Sequence, residues 1–145
     1  MVKFIEKRFL PKRIAEPDEK DRLSKAISGR LSKEPGILFA YLHGSFVTGE
    51  SFRDIDVGLY TRYRSEFFYE SDLSFELSKA TGYEVEVKVI NEAPVAFQMA
   101  VISEGRLLFS IDDDARTDFI EDVGRRYREY AHFRNIFMEA VGAER

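Results

Sequence analysis

The sequence contains no cysteine. That single absence excludes disulfides, a thiolate zinc site and a cysteine nucleophile. Histidine is nearly absent: His43 and His132 stand far apart in the chain, so no paired-histidine metal site is indicated. Long apolar runs are missing as well. No segment has the length needed to span a bilayer, and no apolar leader opens the chain. A cytoplasmic protein is the resulting expectation. Amide side chains are scarce (Asn91, Gln98 and Asn135) while charged residues reach 33%, a balance typical of heat-adapted proteins. Positive charge is not in excess: 22 Lys and Arg face 26 Asp and Glu, for a net charge of −4. This argues against a nucleic-acid binder, which needs a basic surface to neutralise phosphates.

What is present suits one globular domain. A chain of 145 residues with 44% hydrophobic content is long enough to bury a core. No internal repeat or low-complexity segment interrupts it. Residues 1–16 are basic and mixed, broken by Pro11, and read as an arm or a short edge strand. Residues 17–145 read as one domain. Pro17 followed by Asp18 and Glu19 suits the first turn of a helix, and Leu23, Ile27 and Leu31 continue it on one face. Pro35 and Gly36 end that helix. Residues 37–42 form a continuous apolar run, a buried strand. A helix is expected over residues 65–80, closed by Thr81 and Gly82. A short helix follows over 93–102 and a short strand over 106–109.

The stretch from Leu38 to Tyr60 is the most informative. It reads strand, Gly44-Ser45 turn, short polar connection, then a second strand opening with Asp54-Ile55-Asp56. Residues i and i+2 of a strand share a face, so Asp54 and Asp56 project side by side. Two adjacent carboxylates repel, and a divalent cation compensates them; hard oxygen donors suit Mg²⁺. The turn just upstream offers backbone N–H groups and the Ser45 hydroxyl to a phosphate. A phosphate cradle beside a metal-binding carboxylate pair is equipment for phosphoryl or nucleotidyl transfer. A further strand, residues 83–90, alternates apolar Val85, Val87 and Val89 with polar Glu84, Glu86 and Lys88. Either glutamate can supply a third carboxylate. His43, at the end of an apolar strand, reads as a packed residue beside the site rather than a ligand.

The C-terminal segment reads as a long helix. Asp112, Asp113 and Asp114 suit its N-terminal dipole, and Phe119, Ile120, Val123, Tyr127, Tyr130 and Phe137 follow helical spacing. It carries Arg125, Arg126, Arg128 and Arg134. The plainest reading is an amphipathic helix packed on the domain with its basic face in water. Its density of rings also suits a protein interface, within a homo-oligomer or with another protein.

Gly44-Ser45, the spacer, Asp54-Ile55-Asp56 and a later acidic strand together resemble the signature of the minimal nucleotidyltransferases, a branch of the DNA polymerase β-like superfamily. The spacer is shorter than in many members. The resemblance implies an α/β fold (α+β): a small mixed sheet with helices mainly on one face and a long C-terminal helix. It implies two Mg²⁺ ions held by Asp54, Asp56 and a third acid, with ATP as substrate and Gly44 and Ser45 as nucleotide-binding residues. The spacing from Glu86 to Asn91-Glu92-Ala93-Pro94 matches the family and favours Glu86 as that acid, with Glu84 as the alternative. The branch further implies an antitoxin that transfers AMP to a hydroxyl side chain, tyrosine in the family, of a HEPN-type ribonuclease toxin. Two other readings stand beside it. One is a nucleotide-binding antitoxin that acts by occlusion. The other is a transferase for a small molecule of the aminoglycoside kind.

Overall fold

Pro17 opens the first helix, α1 (Pro17–Leu31), where its missing N–H costs nothing and Asp18 and Glu19 meet the positive end of the helix dipole. The computed structural model describes residues 11–142; residues 1–10 of the expected arm and 143–145 lie outside that range. Within the arm, Arg13 makes one antiparallel bridge with Phe52. After α1 come β1 (Ile37–His43), the one-turn α2 (Ser45–Thr48), β2 (Ile55–Thr61), α3 (Tyr69–Thr81), β3 (Val85–Val89), α4 (Val95–Glu104), β4 (Arg106–Ser110) and α5 (Asp113–Ala140).

Three boundaries differ from expectation. The second strand starts at Ile55, so Asp54 stands one residue ahead of it. The helix expected from residue 65 starts at Tyr69, the first of its apolar residues to pack on the core. Phe67 and Phe68 are exposed in the loop before it. The helix expected over 93–102 runs from Val95 because Pro94 takes the N-cap, and Gly105 ends it.

The sheet has the order β3-β2-β1-β4. β2 and β3 are parallel, and β1 pairs antiparallel with β2 and β4, so the sheet is mixed as expected. Its larger core lies on one face, where Ala40, Leu42, Val57, Leu59 and Val87 meet Leu23, Ile27 and Leu31 of α1 and Leu73 and Leu77 of α3. Each such fully buried leucine contributes roughly 1.5–3 kcal/mol. The other face also has helix cover, more than an arrangement mainly on one side requires. β1 is apolar on both faces, so Phe39 and Tyr41, alternating with Ala40 and Leu42, need partners of their own. Val101 of α4 and Phe119 and Val123 of α5 supply them.

The free edge of β3 is closed by side chains. The outward N–H groups of Val85, Val87 and Val89 donate to Ser78 Oγ, Ser74 Oγ and Glu70 Oε2 of α3, at 2.8, 2.8 and 2.6 Å. Four-residue steps along the helix match two-residue steps along the strand. The same helix is tied to α1 by a bidentate pair between Arg30 and Glu76. The hydrogen bonds from Arg30 hold the Glu76 carboxyl below its usual range. The link is therefore complete above the ordinary carboxylate pKa and is lost as pH falls through the lowered one; both groups are part-exposed, so it is worth under about 1 kcal/mol.

Candidate active site

The site is built where three strands end together. β1 runs through His43 into Gly44, whose backbone has φ +76° and ψ −166°, a region open in practice to glycine alone. Gly44 also lies hard against Asp56: a Cβ at this position would overlap Asp56 Oδ2. The chain then winds through α2, with Val47 N–H and Thr48 N–H donating to the Gly44 carbonyl and Ser45 exposed at its start. Phe46 anchors that turn, fully buried and edge-on to Phe52 at 4.9 Å. Lys20 of α1 fastens the other end, with Nζ donating to the carbonyls of Phe46 at 2.9 Å and Gly49 at 3.4 Å. The same ammonium lies over the Phe46 and Phe52 rings, which favours the charge further.

The carboxylates come from the two parallel strands. Ile55 and Val57 point into the core shared with α1 and α3, so Asp54 and Asp56 point to the opposite face. The register pairs Asp56 with Glu86 on β3 and with His43 on β1. Asp54, Asp56 and Glu86 consequently converge, each offering an oxygen within 4.8 Å of the others. Asp54 is buried; the other two are half-buried. Glu84 is exposed and outside this cluster, and its carbonyl accepts from Ile55 N–H. A cleft of about 300 Å³ sits over the three acids, also lined by His43, Lys88 and Phe97. His43 packs edge-on against Phe97 at 5.4 Å. Three hard oxygen donors at this spacing fit a Mg²⁺-sized ion that completes its shell with water or phosphate oxygens.

The sequence family described as Polymerase beta, Nucleotidyltransferase matches residues 25–114, more than half of the chain. The chain belongs to this family. No curated protein matches the nucleotidyltransferase, but solved structures share its fold. The MntA–HepT toxin–antitoxin crystal structure aligns at TM-score 0.65 and 16% identity over 87% of this chain and 98% of that one. A tri-AMPylated Shewanella oneidensis HEPN toxin in complex with MNT antitoxin aligns at 0.66 and 17% over 81% and 98%. A toxin–antitoxin with AMP-PNP aligns at 0.69 and 21% over 82% and 97%. At these identities the likeness is one of fold. Among the described residues of the nucleotidyltransferase, no helix is long and apolar enough to cross a membrane.

Three residues of the nucleotidyltransferase site were not singled out by sequence reasoning. Lys88 left a signal, since it shares the polar face of its strand with Glu86. Phe97 and Lys20 left none, because each reaches the site across a tertiary contact.

Proposed function

We propose that this protein is an antitoxin that transfers AMP from ATP to a tyrosine hydroxyl of a HEPN-type toxin. The observation that carries this reading is the convergence of Asp54, Asp56 and Glu86 beside a glycine turn that presses on one of them. The described partners of the fold's solved relatives, a HEPN toxin, its tri-AMPylated form and AMP-PNP, support it.

In this reading Gly44 and Ser45 bind the β- and γ-phosphates through backbone N–H groups and the hydroxyl. Asp54, Asp56 and Glu86 hold Mg²⁺, two ions in the proposed arrangement. When bound, the metal neutralises the triphosphate and lowers the pKa of the acceptor hydroxyl. Glu86, on the strand farther from the glycine turn, faces the acceptor. The acceptor oxygen attacks the α-phosphorus in line, its proton leaves to solvent, and pyrophosphate departs.

The test is single-turnover transfer from ATP labelled on its α-phosphate to a HEPN protein co-expressed from the adjacent gene. Wild type transfers label. Glu86→Gln keeps the strand and the nucleotide affinity but removes a metal-ligating charge that helps deprotonate the acceptor, and lowers transfer by on the order of 10²-fold or more. Glu84→Gln stays near wild type. Loss in Glu84→Gln with activity kept in Glu86→Gln would falsify the assignment. A tight complex without any transfer would replace catalysis by occlusion.

A further inference from the structure

Three carboxylates converge at the site, and the described residues that line the cleft above them include one lysine, Lys88, and no arginine. β3 puts it there. Glu86 and Lys88 are two residues apart on that strand and share its face, with about 7 Å between their backbone positions. A four-carbon stem covers that span. Asp56 pairs with Glu86, and Gly58 with Lys88. The row of the sheet next to the acids therefore holds the lysine and a residue without a side chain.

Two cations close to the site are committed elsewhere. Lys20 donates to the carbonyls of Phe46 and Gly49, and Arg126 is shared between Asp122 and the Gln98 side chain. Lys88 differs from both. It is exposed, and among the described residues no hydrogen bond or ion pair engages its ammonium. A lysine beside three carboxylates that pairs with none of them keeps its charge for whatever enters the cleft.

Charge decides what that is. Under the nucleotidyl-transfer reading, on which this inference rests, three carboxylates and a triphosphate outweigh two Mg²⁺ ions, so the loaded cleft stays negative. The α-phosphorus lies between the phosphates at Gly44-Ser45 and an acceptor oxygen near Glu86, beside the row formed by Asp56 and Glu86. Lys88 is the next charge along that face. We infer that Lys88 is a catalytic residue whose ammonium contacts a non-bridging oxygen of the α-phosphate. The contact is made in the bound nucleotide and tightens in the transition state. As the acceptor oxygen bonds to the α-phosphorus, the bond to the α–β bridging oxygen breaks and pyrophosphate takes the electron pair. Negative charge on the non-bridging oxygens meets a cation already in place, the condition under which such a contact speeds the step. Lys88 neither gives nor takes a proton; it supplies charge.

The experiment uses the full chain with Lys88→Gln and Lys88→Arg, changes at an exposed position that leave the core intact. Calorimetry in Mg²⁺ compares two probes. One is ATP with a methylene in place of its α–β bridging oxygen, which cannot release pyrophosphate. The other is pyrophosphate itself, which has no α-phosphate. Lys88→Gln should weaken the first by about ten-fold or more, the scale of a charge-assisted hydrogen bond, and leave the second within about two-fold. Lys88→Arg should recover part of the loss. Equal loss for both probes overturns the inference, since Lys88 would then attract any anion. No loss for either overturns it too, since the lysine would then turn away from the cleft. In single-turnover transfer Lys88→Gln should be slower by on the order of 10²-fold. Sulfur at the contacted α-oxygen should add little to that loss, because two ways of removing one contact do not add. Full additivity with both sulfur isomers overturns the contact. Lys88-dependent binding without transfer by wild type strikes the transfer reading and leaves the contact standing. Transfer with Lys88-independent binding does the reverse.

Discussion

Gly44 carries two constraints that no other residue satisfies together. Its backbone occupies a region costly to any residue with a side chain, and its α-carbon abuts Asp56 Oδ2. Gly44→Ala should lower stability by about 1–3 kcal/mol from backbone strain alone. It should also displace the Asp56 carboxylate, so calorimetric binding of ATP with Mg²⁺ should fall more than ten-fold. A variant that melts early yet binds normally would show that the contact with Asp56 is incidental. At this scale the sequence was explicit about chemistry and silent about pairing. Asp54-Ile55-Asp56 announced two carboxylates on one face because strand alternation is local. Glu84 and Glu86 stayed alternatives because both obey that alternation. What separates them is the cross-strand register that puts Glu86 beside Asp56, and register is a property of two strands, invisible in either one.

Elements were legible where a buried stripe or a breaker defined them. Leu23, Ile27 and Leu31 marked α1, and all three are buried; Pro35 and Gly82 marked ends. Boundaries drifted where the first turn of a helix lacked an apolar anchor, as ahead of Tyr69. Glu70, Ser74 and Ser78 resembled an ordinary solvated helix face, because nothing in hydropathy reveals that a polar stripe is bonded to a strand edge. Lys20 escaped notice for the same reason. It joins α1 to the carbonyl end of α2, an element of four residues too short to persist alone. Lys20→Met preserves length and packing on the Phe46 and Phe52 rings but removes the charge-assisted bonds. Its expected cost is about 1.5–3 kcal/mol in thermal or denaturant unfolding. Because α2 shapes the proposed phosphate turn, KM for ATP should also rise while kcat changes less, and Lys20→Arg should recover part of both. A stability loss with an unaltered KM would make Lys20 merely structural.

At the scale of the whole molecule the sequence foretold a mixed sheet and a long last helix, and both are present. It did not foretell how far that helix outruns the body. α5 packs through Phe119 and Val123, and Arg126 still donates to the Gln98 side-chain oxygen Oε1 at 2.9 Å. Beyond that point Tyr130, Phe133, Phe137 and Val141 are exposed along one stripe. Apolar surface of this kind on a helix is a docking face in the proposed toxin pair. Phe133→Glu combined with Phe137→Glu should leave thermal stability within about 0.5 kcal/mol, since neither ring is in the core. It should weaken co-purification with the HEPN protein at least ten-fold, about 1.4 kcal/mol, as read by light scattering of the complex. Unchanged pairing would move the interface elsewhere.

The closed edge of β3 sets a limit on how copies of this chain can join. A sheet with two open margins is divalent and can add neighbours without end, the geometry of fibrils. Here Ser78, Ser74 and Glu70 already occupy the donors on one margin, so any strand-to-strand growth is confined to the β4 side. Among the described residues, at most one margin is left for such growth. Two copies that met through β4 would each present a sealed margin outward, and the assembly would stop at a pair.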